Sequence, residues 1–459
     1  MIFIIQEAGE QRAMKKGQFR QISMERLFLL LYVPFVLAMM LVMPVGGPPD
    51  EQAHLRQAWL LSTGQIGTET CTYPKNLRDI LADSKGGTDV SVLKGEEFLT
   101  ARLSEETVTD SGNEATGIYP QAAYLPQSLM MFLTRLFTDR ISLLLYSARI
   151  GSMLTAGVLF FFAIRRSPAG KTILLAIALL PLTLQEAASA SCDGMTIAGT
   201  CWITAELLRR ISGINEQKNG KALRWAGMGI LAVLCKLTYA PVLLLGIMPK
   251  AVTAEAKKQK RRENRIMAGA FLIALVIWYL SSVMKLSGRA GLTGDAMDRL
   301  GQIAAHPLTL IAAQVRTVIY RAPGWIRQMF GVFGRLDIFS PWPLTVLLGI
   351  SFLGAALSDN GIAGMLPDRK QERKLRLLLI LAVLLCWMLL SGALMIWWTG
   401  EDSSQINGIQ GRYFLPCLFC LLLCLPKLKA ERRQKVRNAA LAVYLLLSAA
   451  TIVLLGLKV

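Results

Sequence analysis

Residues 27–51 read LFLLLYVPFVLAMMLVMPVGGPPDE, an apolar run that ends in two glycines, two prolines and two carboxylates. A helix that crosses a bilayer needs ~20 mostly apolar residues. Only a helix or a closed barrel satisfies its backbone groups there. The run is long for a signal-peptide core, and no small-x-small site follows it, so it reads as a retained membrane helix. Pro48 and Pro49 fix φ and bar continuation of that helix. The chain therefore turns sharply at one membrane surface and delivers Asp50 and Glu51 there.

Working outward, comparable runs recur near 141–164, 172–190, 194–208, 223–236, 239–249, 266–284, 341–358, 377–398, 412–426 and 438–457. The 172–208 and 223–249 stretches each read either as a hairpin of short helices or as one long tilted helix. The chain is 53% apolar and 18% charged over 459 residues, against ~45–50% and ~25% in soluble domains, which excludes a soluble globular protein. The fold class is all-α: a polytopic integral membrane protein of about eleven transmembrane helices. Its parts are a cytoplasmic segment 1–26, a transmembrane module 27–284 that includes an outer loop 45–140, a second outer region 285–340, and C-terminal helices 341–459.

Charge sets the orientation. With the N-terminus inside, the segments 1–26, 165–171, 209–224, 249–265, 359–376 and 427–437 hold 31 of the 50 Lys and Arg residues. That bias predicts a cytoplasmic N-terminus. It also accounts for the formal net charge of +19 without nucleic acid as a partner, since KKQKRRENR (257–265) and KAERRQK (429–435) act as topology anchors. Of the eight cysteines, seven lie in or beside spans, which predicts buried small side chains rather than a disulfide framework or a zinc site.

The two outer regions are too long for turns. Loop 45–140 holds 13 acidic and 8 basic residues, with a helix expected near 50–63 and Gly86-Gly87 in a polar loop. YPQAAYLPQSLMMFLTRLF (119–137) reads as a helix lying in the interface rather than crossing, because crossing would place Arg165, Arg166 and Lys171 outside. The stretch 306–337, with Arg316, Arg321 and Arg327 among apolar residues, is again amphipathic.

Candidate chemistry gathers at outer helix ends. Asp50 is placed to cap the following helix, or to accept a proton from a hydroxyl at the membrane surface. Glu51 is a supporting partner or a metal ligand, and His54, four residues past Asp50, is within reach of it on a helix. Glu186 and Asp193 flank QEAASASCDGMT; ionisable groups at membrane depth point to function by default, with capping of the next helix the plain alternative for Asp193. Lys236 lies in a turn, where snorkelling to the interface is the plain alternative, and Arg412 opens a span in NGIQGRYFLP. Arg149 lies inside the second span and needs a partner. Carboxylates beside cations suit a reaction whose leaving group is an anion such as phosphate.

Several stretches together resemble the bacterial membrane-protein family domain of unknown function 2142. They are GGPPDEQAHLRQAWLLSTGQI (46–66), YPQAAYLPQSL (119–129), ALLPLTLQEAASASCDGMT (178–196), CKLTYAPVLLL (235–245), GVFGRLD (331–337) and IQGRYFLP (409–416). That family is similar in turn to the GT-C glycosyltransferase superfamily. The resemblance implies an active site on the outer face of a bacterial plasma membrane. A sugar would pass from a polyprenyl-phosphate donor to a glycan or lipid-linked acceptor. Asp50 matches the superfamily's first-loop acid, with Glu51 and His54 beside it. Asp193 matches an acid that binds metal in some members, so a divalent cation is the one cofactor left open. Arg412, with Lys236, sits where the donor phosphate would be met. Gln52 and Leu55 depart from the family's acidic-Pro-Ala-His-Phe wording. There is no Gly-rich phosphate loop, which disfavours a nucleotide-sugar donor. The alternatives are a transporter or flippase of lipid-linked oligosaccharides, a polymerase or ligase of them, and a non-catalytic scaffold.

Overall fold

The computed structural model describes residues 22–66, 71–83, 95–110, 119–213, 221–248, 254–280, 294–366, 368–400 and 403–458. The N-terminal basic segment and Gly86-Gly87 lie outside them. The first helix, α1 (Met24–Val42), shows how the bundle is built. Phe28, Tyr32, Val36 and Met39 are buried, while Leu29, Leu30, Val33, Leu37 and Leu41 are exposed. The inward residues keep helical spacing. The outward ones are as apolar as the inward ones, as lipid-facing positions must be.

After α1 the chain forms α2 (Glu51–Ser62) and a small peripheral unit. That unit comprises β1 (Cys71–Pro74), α3 (Lys75–Asp83), α4 (Glu96–Thr100) and β2 (Thr107–Asp110). The two strands pair antiparallel, Cys71 opposite Asp110. The 119–137 stretch becomes a 3-10 turn Gln121–Tyr124 and an 11-residue helix, α5 (Leu125–Arg135), too short to cross. It lies close on α6 (Ile141–Arg166) at Gly151, where a Cβ would stand 2.4 Å from the Pro126 carbonyl oxygen.

The expected single span 172–190 is instead two short helices, α7 (Lys171–Ala178) and α8 (Pro181–Ala187). Pro181 has no N–H to continue the first helix, so the chain breaks at Leu179-Leu180. With eight and seven residues, they rise only ~12 and ~10 Å. Every residue of the pair beyond Lys171 is buried, and broken backbone at membrane depth is tolerated when protein rather than lipid surrounds it. Then come α9 (Asp193–Ile211), α10 (Lys221–Leu234), a 3-10 helix Leu237–Ile247 and α11 (Ala254–Trp278). The 223–249 stretch is therefore a pair of short helices, not one tilted helix.

The C-terminal part holds α12 (Gly294–Ala305), α13 (Pro307–Gly331), a hairpin of β3 (Val332–Phe333) and β4 (Ile338–Phe339), α14 (Trp342–Leu357), α15 (Arg369–Trp397), a 3-10 turn Gly411–Phe414, α16 (Leu415–Leu423) and α17 (Ala430–Lys458). Four helices are long and apolar enough to cross a membrane by themselves: Met24–Val42, Ile141–Arg166, Arg369–Trp397 and Glu431–Lys458. Shorter apolar helices fill the bundle between them. Among the seven cysteines whose side chains are described, six are buried and all are free.

Helix ends sort into two groups. At one end Arg166 pairs with Glu206, and Arg210 bonds the Gly246 carbonyl and Asn264. There too Asp359 accepts from the Thr172 N–H, and Arg433 bonds Asn360. These contacts join the basic segments that the charge bias places on one side. At the other end lie Asp50, Asp193, Lys236, Arg335 and Arg412. Helix α13 belongs there along its whole length: Gln314 bonds Ser391, Thr317 Oγ1 accepts from the Ile406 N–H, and Gln328 Oε1 accepts from the Gly411 N–H.

Candidate functional site

Three carboxylates and two cations meet where the start of α2, α8, α9, the α10 turn and the Gly411–Phe414 turn converge. Arg412 is the centre. Its Nη2 lies 2.6 Å from Asp50 Oδ2, and its Nη1 lies 3.3 Å from Asp193 Oδ2 and 3.7 Å from Glu186 Oε2. Asp193 also pairs with Lys236. The Lys236 ammonium stands 4.9 Å from the Tyr119 ring and 5.8 Å from the Tyr413 ring, a cation–π setting for the side that faces away from Asp193.

Asp50 does not cap α2. Its φ of 62° puts it in the left-handed region, and its side chain makes no cap bond; the carboxylate is turned to Arg412 instead. Lys236, at φ 58°, and Leu336, at φ 73°, are the other non-glycine residues with positive φ among those described. Such strain costs roughly 1–3 kcal/mol per residue and concentrates at functional sites. Asp193 is likewise the first residue of α9 rather than its cap.

Exposure separates the carboxylates. The Asp50 side chain is 57% exposed, whereas Asp193 is 8% and Glu186 0% exposed. Only Asp50 can be reached by a solvent-side hydroxyl. Partial burial works to raise its carboxyl, but the charge and hydrogen bond of Arg412, helped by His54, outweigh this and hold it below its ordinary 3.8. Three buried polar atoms at this centre make no aligned hydrogen bond: Arg412 Nε, and the oxygens Asp193 Oδ2 and Glu186 Oε2, which meet Arg412 by charge alone. Buried polar atoms without a full hydrogen bond are costly unless a ligand or water meets them.

His54 was expected beside Asp50. Its backbone N–H does bond the Asp50 carbonyl, at 3.2 Å. The ring, however, points the other way, with Nδ1 2.7 Å from the Tyr124 hydroxyl and the Tyr119 ring stacked at 6.0 Å. Burial pushes the imidazole down to about 4, against the pull of Asp193, so it is neutral at neutral pH. The unfolded chain takes up a proton near 6.5, so folding stability falls as pH drops from there towards 4, by up to ~3 kcal/mol. Thermal midpoints measured in detergent should show this decline in the wild type and a flattened one in His54→Gln.

Glu51 stands apart from the cluster. Oε1 accepts from Arg149 Nε at 2.8 Å and from the Ala190 N–H at 2.9 Å. Oε2 accepts from Arg149 Nη2 at 2.7 Å and from the Gly46 N–H at 2.6 Å. This is the partner that Arg149 needs, and it leaves Glu51 no free lone pair for a cation. Asp193, the other proposed metal ligand, is occupied by Lys236 and Arg412. No group of three or more His, Cys, Asp or Glu side chains suited to a metal occurs among the described residues. The donor set does not fit a divalent cation as it stands, and no chemical step is routed through one.

Sequence reasoning missed the aromatic wall. Tyr239 donates to the Tyr413 carbonyl at 2.8 Å. Both border an apolar cavity of about 400 Å³, walled further by Trp325, Leu384, Trp387 and Phe414. Tyr413 sits next to Arg412 in sequence, the one signal that could have marked it. Arg335 was also missed; its Nε donates to the Gly46 carbonyl at 3.1 Å.

The fold and the charged centre together define a polytopic membrane protein that carries a polar site at one end of its helix bundle. The chain belongs to the family domain of unknown function 2142, described as a predicted membrane protein, which it matches over residues 33–421. No curated protein and no solved structure matches it. The six stretches that resembled this family are far apart in sequence, yet each contributes a residue to the centre or to its immediate supports.

Proposed function

We propose that the chain is a membrane glycosyltransferase. In this reading a sugar moves from a polyprenyl-phosphate donor to a hydroxyl of a glycan or lipid-linked acceptor on the outer face of a bacterial plasma membrane. One observation carries it: a reachable carboxylate, Asp50, paired with a buried guanidinium, Arg412, whose neighbour Tyr413 borders an apolar cavity. A donor of this class needs an apolar channel for its chain, a cation for its phosphate and a base close to its anomeric carbon.

The prenyl chain would enter the cavity between α13, α15 and α16, among Trp325, Leu384 and Phe414. Its phosphate would meet Arg412 and, beyond it, Lys236. The acceptor oxygen forms a bond to the anomeric carbon as the carbon–oxygen bond to phosphate breaks. The electron pair leaves with the phosphate and the acceptor proton passes to Asp50. Base catalysis of this kind contributes ~10²–10⁴-fold, and each preorganised donor to the developing anion ~3–4 kcal/mol. Arg412 cannot serve phosphate and Asp50 equally well at once. Donor binding would weaken that ion pair, leave burial as the main influence on Asp50 and make it a stronger base at the moment of need. Glu51 and Arg149 would hold the Gly46–Asp50 turn in place.

The test is reconstitution in proteoliposomes with short-chain prenyl-phosphate sugars and a glycan acceptor, with products read by mass spectrometry. A new glycosidic bond with release of prenyl phosphate is expected. Redistribution of intact donor between leaflets without any bond formation would make the protein a flippase instead.

A further inference from the structure

The charge balance at the centre is unfavourable to the ligand proposed for it. Arg412 and Lys236 face Asp50, Asp193 and Glu186, two cations against three carboxylates. A phosphate approaching that set meets both cations only in competition with their carboxylates, so a further, unengaged cation is needed to hold it. Arg335 differs from both. It is half-buried, its Nε bonds a neutral carbonyl, that of Gly46, and it has no ion-pair partner among the described residues. It also holds the opposite end of the turn whose other end Arg412 grips, through Pro49 O at 3.3 Å and Asp50. Five residues, Gly46 to Asp50, separate the two anchor points by at most ~14 Å.

The segment around Arg335 is built to hold it. GVFGRLD (331–337) runs into and around the β3–β4 hairpin. Gly334 and Leu336 both have positive φ, 61° and 73°. Leucine in that region is strained by ~1–2 kcal/mol. The Gly334 N–H donates to Gln185 Oε1 at 2.9 Å, and Gln185 directly precedes Glu186, one of the Arg412 carboxylates. The strained tip and the charged centre therefore share one support.

We propose that Arg335 binds the phosphate of the lipid-linked donor, as the cation of the site that no carboxylate neutralises. This deepens the glycosyltransferase reading and rests on it. The planar fork that bonds Gly46 through Nε leaves both Nη groups for two phosphate oxygens. Arg412 then stays free to exchange between Asp50 and the bridging oxygen as the bond breaks.

Binding to the full-length protein in phosphatidylcholine nanodiscs tests this, with farnesyl phosphate as the probe, farnesol as the uncharged control, and inorganic phosphate and phosphatidylglycerol as competitors. Arg335→Gln keeps a donor for the Gly46 carbonyl but loses the charge, and is expected to weaken farnesyl phosphate ~10–100-fold. Farnesol affinity and the thermal midpoint should stay as in the wild type, and Arg335→Lys should recover part of the loss. Neither inorganic phosphate nor phosphatidylglycerol should displace the probe at comparable concentration. Equal farnesyl phosphate binding by wild type and Arg335→Gln overturns the assignment while leaving the glycosyltransferase reading intact. So does equal competition by phosphatidylglycerol, which would place a bulk lipid headgroup at Arg335. Failure of the wild type to prefer farnesyl phosphate over farnesol would remove the proposed function and this inference together.

Discussion

Asp50→Asn protein is expected to insert and fold as the wild type does, and to transfer sugar at least ~10²-fold more slowly. The substitution suits the position. Asparagine tolerates the left-handed backbone that Asp50 adopts at φ 62°, and its amide oxygen can still accept from Arg412. Lost rate would therefore report lost basicity rather than a collapsed turn. Asp50→Ala is a poorer probe, because it adds strain at a positive φ as well as removing the carboxylate. The pH dependence gives a second handle. Arg412 holds the free carboxyl below its ordinary value, so the acid limb of kcat/KM should lie at low pH. Once donor phosphate draws Arg412 away, burial raises the carboxyl, and the acid limb of kcat should lie at higher pH than that of kcat/KM. Coincident limbs, or an Asp50→Asn enzyme at wild-type rate, would remove Asp50 from the base role.

The helices that face lipid were readable from sequence because lipid imposes length and apolarity on each one separately. Helices α1, α6, α15 and α17 are of this kind. The interior resisted. Lys171 to Ala187 looks like a span by composition, but protein encloses it, and enclosure frees it from the need for an unbroken helix. Asp50, Glu186, Asp193, Lys236 and Arg412 stand out in the sequence because ionisable groups at helix ends are rare in such a chain, and the fold brings these five together. Their pairing was not readable. Arg149 finds Glu51 across 98 positions and Arg412 finds Asp50 across 362, and no local period encodes either. The cap expected of Asp50 failed for a physical reason: the same carboxylate cannot serve both the α2 N–H groups and Arg412, and the charged partner wins. His54 turned to Tyr124 because stacking on Tyr119 and burial favour the neutral ring. Arg335 lay in a quoted motif, but its significance depends on which carboxylates surround its neighbours, which only the fold reveals.

The largest effect on stability is expected at Arg149. Both it and Glu51 are completely buried. Arg149 donates to the carbonyls of Met40, Met43 and Pro44 at 3.2, 2.7 and 2.6 Å, meeting main-chain acceptors at the end of α1 that the helix itself leaves open. Its other bonds go to Glu51, which in turn takes the N–H groups of Gly46 and Ala190. Removing the cation with Arg149→Leu strands a buried carboxylate and three carbonyls, a loss of ~3–5 kcal/mol for the ion pair alone. Arg149→Lys keeps the charge but not the fork, and should recover only part of it. Glu51→Gln should also destabilise, since an amide nitrogen replaces one acceptor of two N–H donors. The double variant Glu51→Leu with Arg149→Leu should be less unstable than the sum of the single changes, because neither charge is then left unpaired. Unfolding in detergent across this four-protein cycle measures the coupling, and additivity would mean the pair is not what fixes the turn. Activity separates positioning from metal binding. If Glu51 acts through Arg149, Glu51→Gln loses stability and rate together, and excess divalent cation restores neither; if it is a metal ligand, added cation recovers rate while stability stays at the wild-type level.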